Sequence, residues 1–243
     1  MMLKKSVSAR LAMLLVALGA AGVGTAGAGC GDLTSVAFDL PPRTYTFDTA
    51  QTGASFPAAT LQPVPCTDAG MCCALAQLAS PGIDCNAIIC DEASATCALT
   101  ATIQTPPQMV DLKREAGSLS KFSGQSVIDV TVNKITYDIN VNTMNVDLPP
   151  VELFVAAQEA TTPDHPSAVK FGTVPATPAG TTVVGGTVVL ERAGQDAFKQ
   201  LARNFGTPFV FMARTQVVVP GGSPLPMGAV SLTVKGQLRA NAF

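Results

Sequence analysis

Ile128-Asp-Val-Thr-Val-Asn-Lys-Ile-Thr-Tyr-Asp-Ile-Asn-Val-Asn142 is the stretch whose reading decides the fold. Ile128, Val130 and Val132 alternate with Asp129, Thr131 and Asn133, and Ile135, Tyr137, Ile139 and Val141 alternate with Thr136, Asp138, Asn140 and Asn142. A period of two marks a strand with one face buried. The phase slips near Asn133-Lys134, where a bulge or a turn is needed to keep both apolar sets on one face.

Strands are expected outward from there over Val151–Val155, Val169–Val174, Thr182–Leu190, Phe209–Ala213, Gln216–Val219 and Ala229–Leu238. Gly185-Gly186, Gly221-Gly222 and Pro224 to Pro226 punctuate them. One helix stands out: Phe198, Leu201, Ala202 and Phe205 fall at i, i+3, i+4 and i+7, and Gly206 with Pro208 closes it. A shorter helical turn is expected over Leu112–Glu115 after Pro106-Pro107. Many short strands with one crossing helix predict a mainly β chain built as an antiparallel β-sandwich, a small barrel being the second choice.

Upstream, residues 31–64 are rich in Pro, Thr and Ala and hold one strand, Arg43-Thr-Tyr-Thr-Phe47. Phe38-Asp-Leu-Pro-Pro42 and Val146-Asp-Leu-Pro-Pro150 echo each other, each before a strand. The simpler account is coincidence between Pro-rich strand starts. The other places strand 43–47 beside the main sheet and makes residues 66–97 an insertion into one domain.

Residues 66–97 hold Cys66, Cys72, Cys73, Cys85, Cys90 and Cys97, with a short helix expected over Ala74–Ala79. Six cysteines in so short a segment predict a disulfide scaffold where apolar burial alone is insufficient. Of 15 connectivities, the three joining neighbours Cys72 and Cys73 are set aside, leaving 12 open. No Cys-x-x-Cys occurs here, so a metal site is not expected.

The N-terminus reads as an address. Lys4, Lys5 and Arg10 precede the apolar run Leu11–Leu18, too short for a spanning helix of about 20 residues. Five glycines between Gly19 and Gly29 argue against a structural helix, at about 1 kcal/mol each. A signal peptide over residues 1–29 is expected. Cys30 is the odd one of seven cysteines, alone upstream of the other six. Ala28-Gly29-Cys30 resembles the lipobox of bacterial lipoproteins, with Gly27 in place of the usual aliphatic residue. The resemblance implies a lipid anchor on Cys30, carrying palmitate-type acyl chains. With Gly31 rather than Asp after the cysteine, it also implies outer-membrane sorting in a Gram-negative bacterium. Cleavage after Ala26 or Ala28, giving a periplasmic or secreted protein, is the alternative.

The resulting organisation is a signal peptide (1–29), a lipid-anchored tether with one strand (30–65), a disulfide-rich module (66–104) and the sandwich (105–243). Removing residues 1–29 takes away three of 15 basic residues and none of 17 acidic ones, leaving a net charge of −5. With Lys113-Arg114 as the densest basic site, the chain has no electrostatic footprint for nucleic acid.

The candidate chemistry is thin. His165, the single histidine, sits in Thr162-Pro-Asp-His-Pro166 as a loop residue, and Asp164 beside it has no Gly-x-Ser-x-Gly partner. Ser118-Leu-Ser-Lys121 matches Ser-x-x-Lys but lacks its companion motifs. Asp129 and Asp138 occupy polar strand positions, where solvation accounts for them. Asp84, Asp91 and Glu92 do not make a calcium loop. The terminal Phe243 reads as an edge-strand residue. No catalytic or cofactor-binding residue and no metal ligand is expected.

The segments Val110-Asp-Leu112, Ile135-Thr-Tyr-Asp-Ile139, Asn142-Thr-Met-Asn-Val146 and Leu148-Pro-Pro-Val-Glu-Leu153 resemble the β-rich body of bacterial envelope lipoproteins with a Cys-rich module. Gly172-Thr-Val-Pro175 and the Pro226–Gly236 strand are similar to late-embryogenesis-abundant type 2 sandwiches, which implies a fold and no activity. The function expected is a non-enzymatic, membrane-anchored binding or structural module with an envelope protein partner. A carrier or sensor of a small apolar ligand, such as a lipid, is the alternative.

Overall fold

Two antiparallel sheets form the main body of the described residues. The computed structural model describes residues 35–49, 63–66, 69–79, 85–91, 95–115, 117, 129–204 and 206–241. The segment 1–29, Cys30, Ser118–Lys121, Asp84, Glu92, Ile128, Phe205 and Phe243 lie outside the described residues.

The first sheet has the order β1-β11-β5-β8, with β1 Ser35–Asp48, β5 Asp129–Asn142, β8 Val183–Thr187 and β11 Ala229–Asn241. The second runs β2-β3-β10-β6-β7-β9, with β4 also paired to β10. Its members are β2 Ile88–Asp91, β3 Thr96–Gln104, β4 Gln108–Val110, β6 Val151–Ala157, β7 Val169–Val174, β9 Val189–Leu190 and β10 Phe209–Pro220. The helices are α1 Ala69–Ala79, α2 Leu112–Glu115 and α3 Arg192–Arg203. The two sheets are packed together as a sandwich.

The phase slip read near Asn133 is a β-bulge: Lys134 faces Gln237 while Val132 faces Leu238, so Asn133 is the extra residue. A second bulge falls at Asn140, between Ile139↔Leu232 and Val141↔Ser231. It flips the phase again. Val141, expected inside, is 46 % exposed, and Asn142 is buried instead. The Asn142 amide is satisfied there, donating to the carbonyls of Pro178 and Thr181 at 3.0 Å each. Asp138 is also buried rather than solvated. Its carboxylate accepts from the Gly185 N–H at 2.7 Å and pairs with Lys235.

The expected strand 182–190 is two strands in different sheets. β8 pairs with β5, β9 pairs with β7, and buried Val188 makes the crossing. The expected strands 209–213 and 216–219 are one, β10, the spine of the second sheet. The 43–47 strand extends to the 14 residues of β1 and pairs along β11, with the register shift at Pro41-Pro42. β3 and β4, which flank the expected 104/105 boundary, both pair with β10. The cysteine-bearing segment is thus stitched into the same sheet as the strands that follow it.

The core between the sheets contains Tyr45, Phe47, Ile139, Leu153, Leu232 and Leu238, all fully or nearly fully buried. α3 packs against β5, β6 and β7. Its Phe198 joins Phe171, Phe209 and Phe211 in a cluster with ring centroids 5.5–6.0 Å apart, from tilted and edge-on to stacked. Burying each ring is worth about 1.5–3 kcal/mol.

Three bridges close the cysteine segment: Cys66–Cys90, Cys72–Cys97 and Cys73–Cys85, with Cα–Cα distances of 5.7, 5.4 and 5.1 Å. Cys72 and Cys97 are buried with Ile88, Leu99, Val217, Val219 and Leu225, so the bridge is part of a satellite core. α1 is longer than the predicted 74–79, and its Leu75 is partly exposed.

Candidate functional site

Strand alternation puts the sandwich core on one face of the second sheet and a polar groove on the other. On β10, Phe209, Phe211 and Ala213 point to the core, which turns Arg214 and Gln216 outward in the following registers. Gln216 faces Thr102 on β3, while Arg214 faces Glu152 on β6, which in turn faces Thr173 on β7. These residues, with Pro150 and Lys170, line a groove of about 510 Å³. Its walls are sheet-borne, so their spacing is fixed by strand geometry, about 4.8 Å between strands.

The charges in the groove are paired with one another. Glu152 takes Arg214 Nη2 at 3.0 Å and Nε at 3.2 Å on Oε2, and Lys170 at 3.1 Å on Oε1. Lys170 also reaches Glu191 at 3.0 Å, and Arg214 Nη1 reaches Asp164 at 2.9 Å. Burial pushes the Glu152 carboxyl up, but the hydrogen bonds from Lys170 and Arg214 outweigh it and hold it below the ordinary carboxylate range. The Glu191 hydrogen bond raises Lys170 against the opposing effect of burial, with Glu152 adding to it. The Arg214 guanidinium also lies over the Phe154 ring, 4.8 Å from its centroid. By contrast, the Thr102 and Thr173 hydroxyls and the Gln216 amide make no hydrogen bond among the described residues.

Next to the groove, the β6–β7 connection covers a small outer core of Phe154, Ala156, Ala160, Val210 and Met212. His165 stabilises this connection and is half-buried rather than fully solvated. The Ser167 N–H donates to His165 Nδ1 at 3.2 Å, so the neutral ring carries its proton on Nε2. The Ser167 hydroxyl sits 2.9 Å from the same nitrogen and accepts from the Ala157 N–H. Asp164 is turned away to Arg214, which leaves His165 and Ser167 without the orienting carboxylate of a triad.

Cys66, Cys72 and Cys97 bring their sulfurs within 4.8 Å of one another, the one group of metal-ligand type among the described residues. The cause is local: Cys90 and Cys97 are cross-strand partners, so the Cys66–Cys90 and Cys72–Cys97 bridges lie side by side. A sulfur committed to a bridge is not a thiolate ligand. Three bridges are consistent with an oxidising compartment. Among the described residues, no helix is long and apolar enough to cross a membrane.

The slot between the sheets, lined by Leu40, Tyr45, Ile135, Leu153, Phe171 and Phe211, has a volume of only about 30 Å³. Burial pushes the Tyr45 hydroxyl there well above the ordinary tyrosine range, despite the nearby Arg43 charge.

None of the groove residues was singled out from the sequence. A signal for them exists: Glu152, Lys170 and Arg214 each place one charge inside an otherwise apolar strand, Val151-Glu-Leu-Phe154, Val169-Lys-Phe171 and Phe211-Met-Ala-Arg214.

The chain matches no protein-family description and no curated protein. Among solved structures it is similar to a chain in the structure of infectious bursal disease virus, Gx strain, at 9 % identity and a TM-score of 0.22, over 83 % of this chain. The match spans 32 % of that viral chain, about a third of its length, and a likeness this slight carries no argument about fold or function.

Proposed function

We propose that this chain is a non-enzymatic envelope lipoprotein, exported by residues 1–29 and anchored to the outer membrane of a Gram-negative bacterium through Cys30. Its sandwich acts as a binding module toward an envelope partner. The observation that carries the reading is the contrast, among the described residues, between a narrow slot between the sheets and an open groove on the outer face. The slot between the sheets is about 30 Å³, whereas the polar groove on the second sheet is about 510 Å³. Small-molecule pockets typically measure about 300–1,000 Å³. A carrier of a lipid-sized ligand needs such a space inside the sandwich, and this contrast favours the groove over the interior. The three bridges support export, and Cys30, the odd cysteine, is left for the anchor.

Two measurements on the full chain test the reading. Intact-mass spectrometry of protein extracted from membranes should give a chain beginning at Cys30, with added acyl mass and six hydrogens missing. A photo-crosslinking residue at Gln216 should trap an adduct in cells, while one at Val184, 88 % exposed on the other sheet, should not. An unacylated soluble product, or adducts indifferent to position, refutes it.

A further inference from the structure

We infer that the groove on the second sheet binds a neutral, hydroxyl-rich chain, that is, an uncharged oligosaccharide. The inference rests on the proposed reading of this groove as the binding face and specifies its ligand.

The argument starts from charge. Both cations of the groove are spent: Arg214 on Glu152 and Asp164, Lys170 on Glu152 and Glu191. An anionic ligand meets two cations already shared among three carboxylates, a set with a net charge of −1, and has to compete with those carboxylates for Arg214 and Lys170. A cationic ligand has to do the reverse. A neutral ligand breaks neither set of pairs.

The next step is hydrogen-bonding capacity. Among the described residues, the groove groups without a hydrogen-bond partner are the Thr102 and Thr173 hydroxyls and the Gln216 amide, each both donor and acceptor. Arg214 also retains unused N–H groups, since three of its five donors are occupied. A sugar hydroxyl is likewise donor and acceptor at once, so a row of them can satisfy this mixed set, whereas an ammonium, donor only, or a carboxylate, acceptor only, cannot.

The last step is layout. Thr102 and Gln216 form one transverse row, and Arg214, Glu152 and Thr173 the next. The rows lie two residues apart along β10, roughly 7 Å. Pro150 adds an apolar surface that can take the C–H face of a ring. The groove therefore offers repeated polar contacts on a rigid sheet, suited to an extended chain of repeating units.

The test is titration calorimetry of the purified full chain, in a detergent without sugar headgroups. The probes are the uncharged hexamers of cellulose, starch and chitin, with hexagalacturonate and the chitosan hexamer as anionic and cationic counterparts. At least one uncharged hexamer should bind, at least tenfold more tightly than either charged one. The double variant Thr102→Val/Gln216→Ala, at exposed positions that leave the ion pairs intact, should weaken binding at least tenfold. Glu152→Gln removes the one acid that both cations share and should shift preference toward hexagalacturonate. No binding of any uncharged hexamer at millimolar concentration, tighter binding of a charged one, or indifference to the double variant overturns the inference. If Gln216 adducts form in cells while no uncharged hexamer binds, the ligand class alone fails and the binding face stands.

Discussion

Gly194→Ala should destabilise this protein, against the usual rule for helices. Gly194 sits in the first turn of α3, buried, four residues before Phe198. By propensity alone, alanine there gains at most about 1 kcal/mol, less in a first turn. A Cβ at Gly194, however, points into the Lys170 carbonyl and the Phe171 Cα of β7. Those are backbone atoms of a strand paired on both sides, with β6 and with β9, and they cannot yield as a side-chain tip can. The helix must back away, which loosens Phe198 from the ring cluster. Overpacking of this kind costs about 1–3 kcal/mol net, which at this chain size is a fall in Tm of roughly 2–12 °C. Calorimetry with the bridges intact measures it. Ala193→Gly, one residue earlier and exposed, is the control and should cost no more than the propensity difference of about 1 kcal/mol. A Tm for Gly194→Ala equal to or above that of the parent would refute the close approach of α3 to β7.

Two further predictions follow from the bridges and from Asp138. Cys73–Cys85, with Cys85 exposed and Cys73 half-buried, joins residues 12 apart, whereas Cys72–Cys97 lies in the satellite core and joins residues 25 apart. Limited reduction followed by alkylation and peptide mapping should label Cys73 and Cys85 first, and labelling of Cys72 first would contradict this burial. Chain entropy gives about 3 kcal/mol for the shorter loop and about 3.5 for the longer. Serine at Cys72 and Cys97 also buries unpaired hydroxyls, at about 1–3 kcal/mol each, so that pair of substitutions should be the more damaging in urea melts. The Lys235 hydrogen bond, aided by the Gly185 N–H, holds the Asp138 carboxyl below its ordinary value. A folded pKa below the unfolded one gives stability that is present above about pH 4 and lost as pH falls further through the folded value. Asp138→Asn should remove that part of the acid-side loss; identical acid limbs in urea melts of variant and parent would exclude it.

The sandwich was legible because its strands alternate, and the departures trace to particular residues. One bulge shows in the sequence, since Asn133 interrupts the count between Val132 and Ile135. The second does not, because Asn140 and Val141 keep a perfect alternation while the backbone gains a residue. Sequence reports the period, but only pairing with β11 reports the register. The run Thr182–Leu190 hid a crossing for a related reason: Val183, Val188 and Val189 are alike in hydropathy yet belong to two sheets and the turn between them. Gly185 at φ +67 turns the chain, and a Cβ at Gly186 would overlap the Tyr137 ring, so the glycines read as punctuation have two separate tasks. The bridge partners were open for another reason. Cys90 opposite Cys97 is a property of β2 pairing with β3, which no spacing rule contains.

The groove was illegible on deeper grounds. Its polar residues come from four strands, β3, β6, β7 and β10, spanning positions 102 to 216, and apart from the lone charges of Glu152, Lys170 and Arg214 each looks like an ordinary outward-facing residue in its own strand. What sets them apart is mutual: Glu152 is shared by Lys170 and Arg214, and each of these is shared with a second acid. Exposed ion pairs contribute little to stability, about 0–1 kcal/mol each, so folding alone gives slight reason to assemble four of them along one groove. Their more consequential effect is to pair both cations of a polar surface with three carboxylates while keeping it rigid. That effect matters for what the surface can bind, and it turns the choice among ligands into a question of charge, which Glu152→Gln addresses directly.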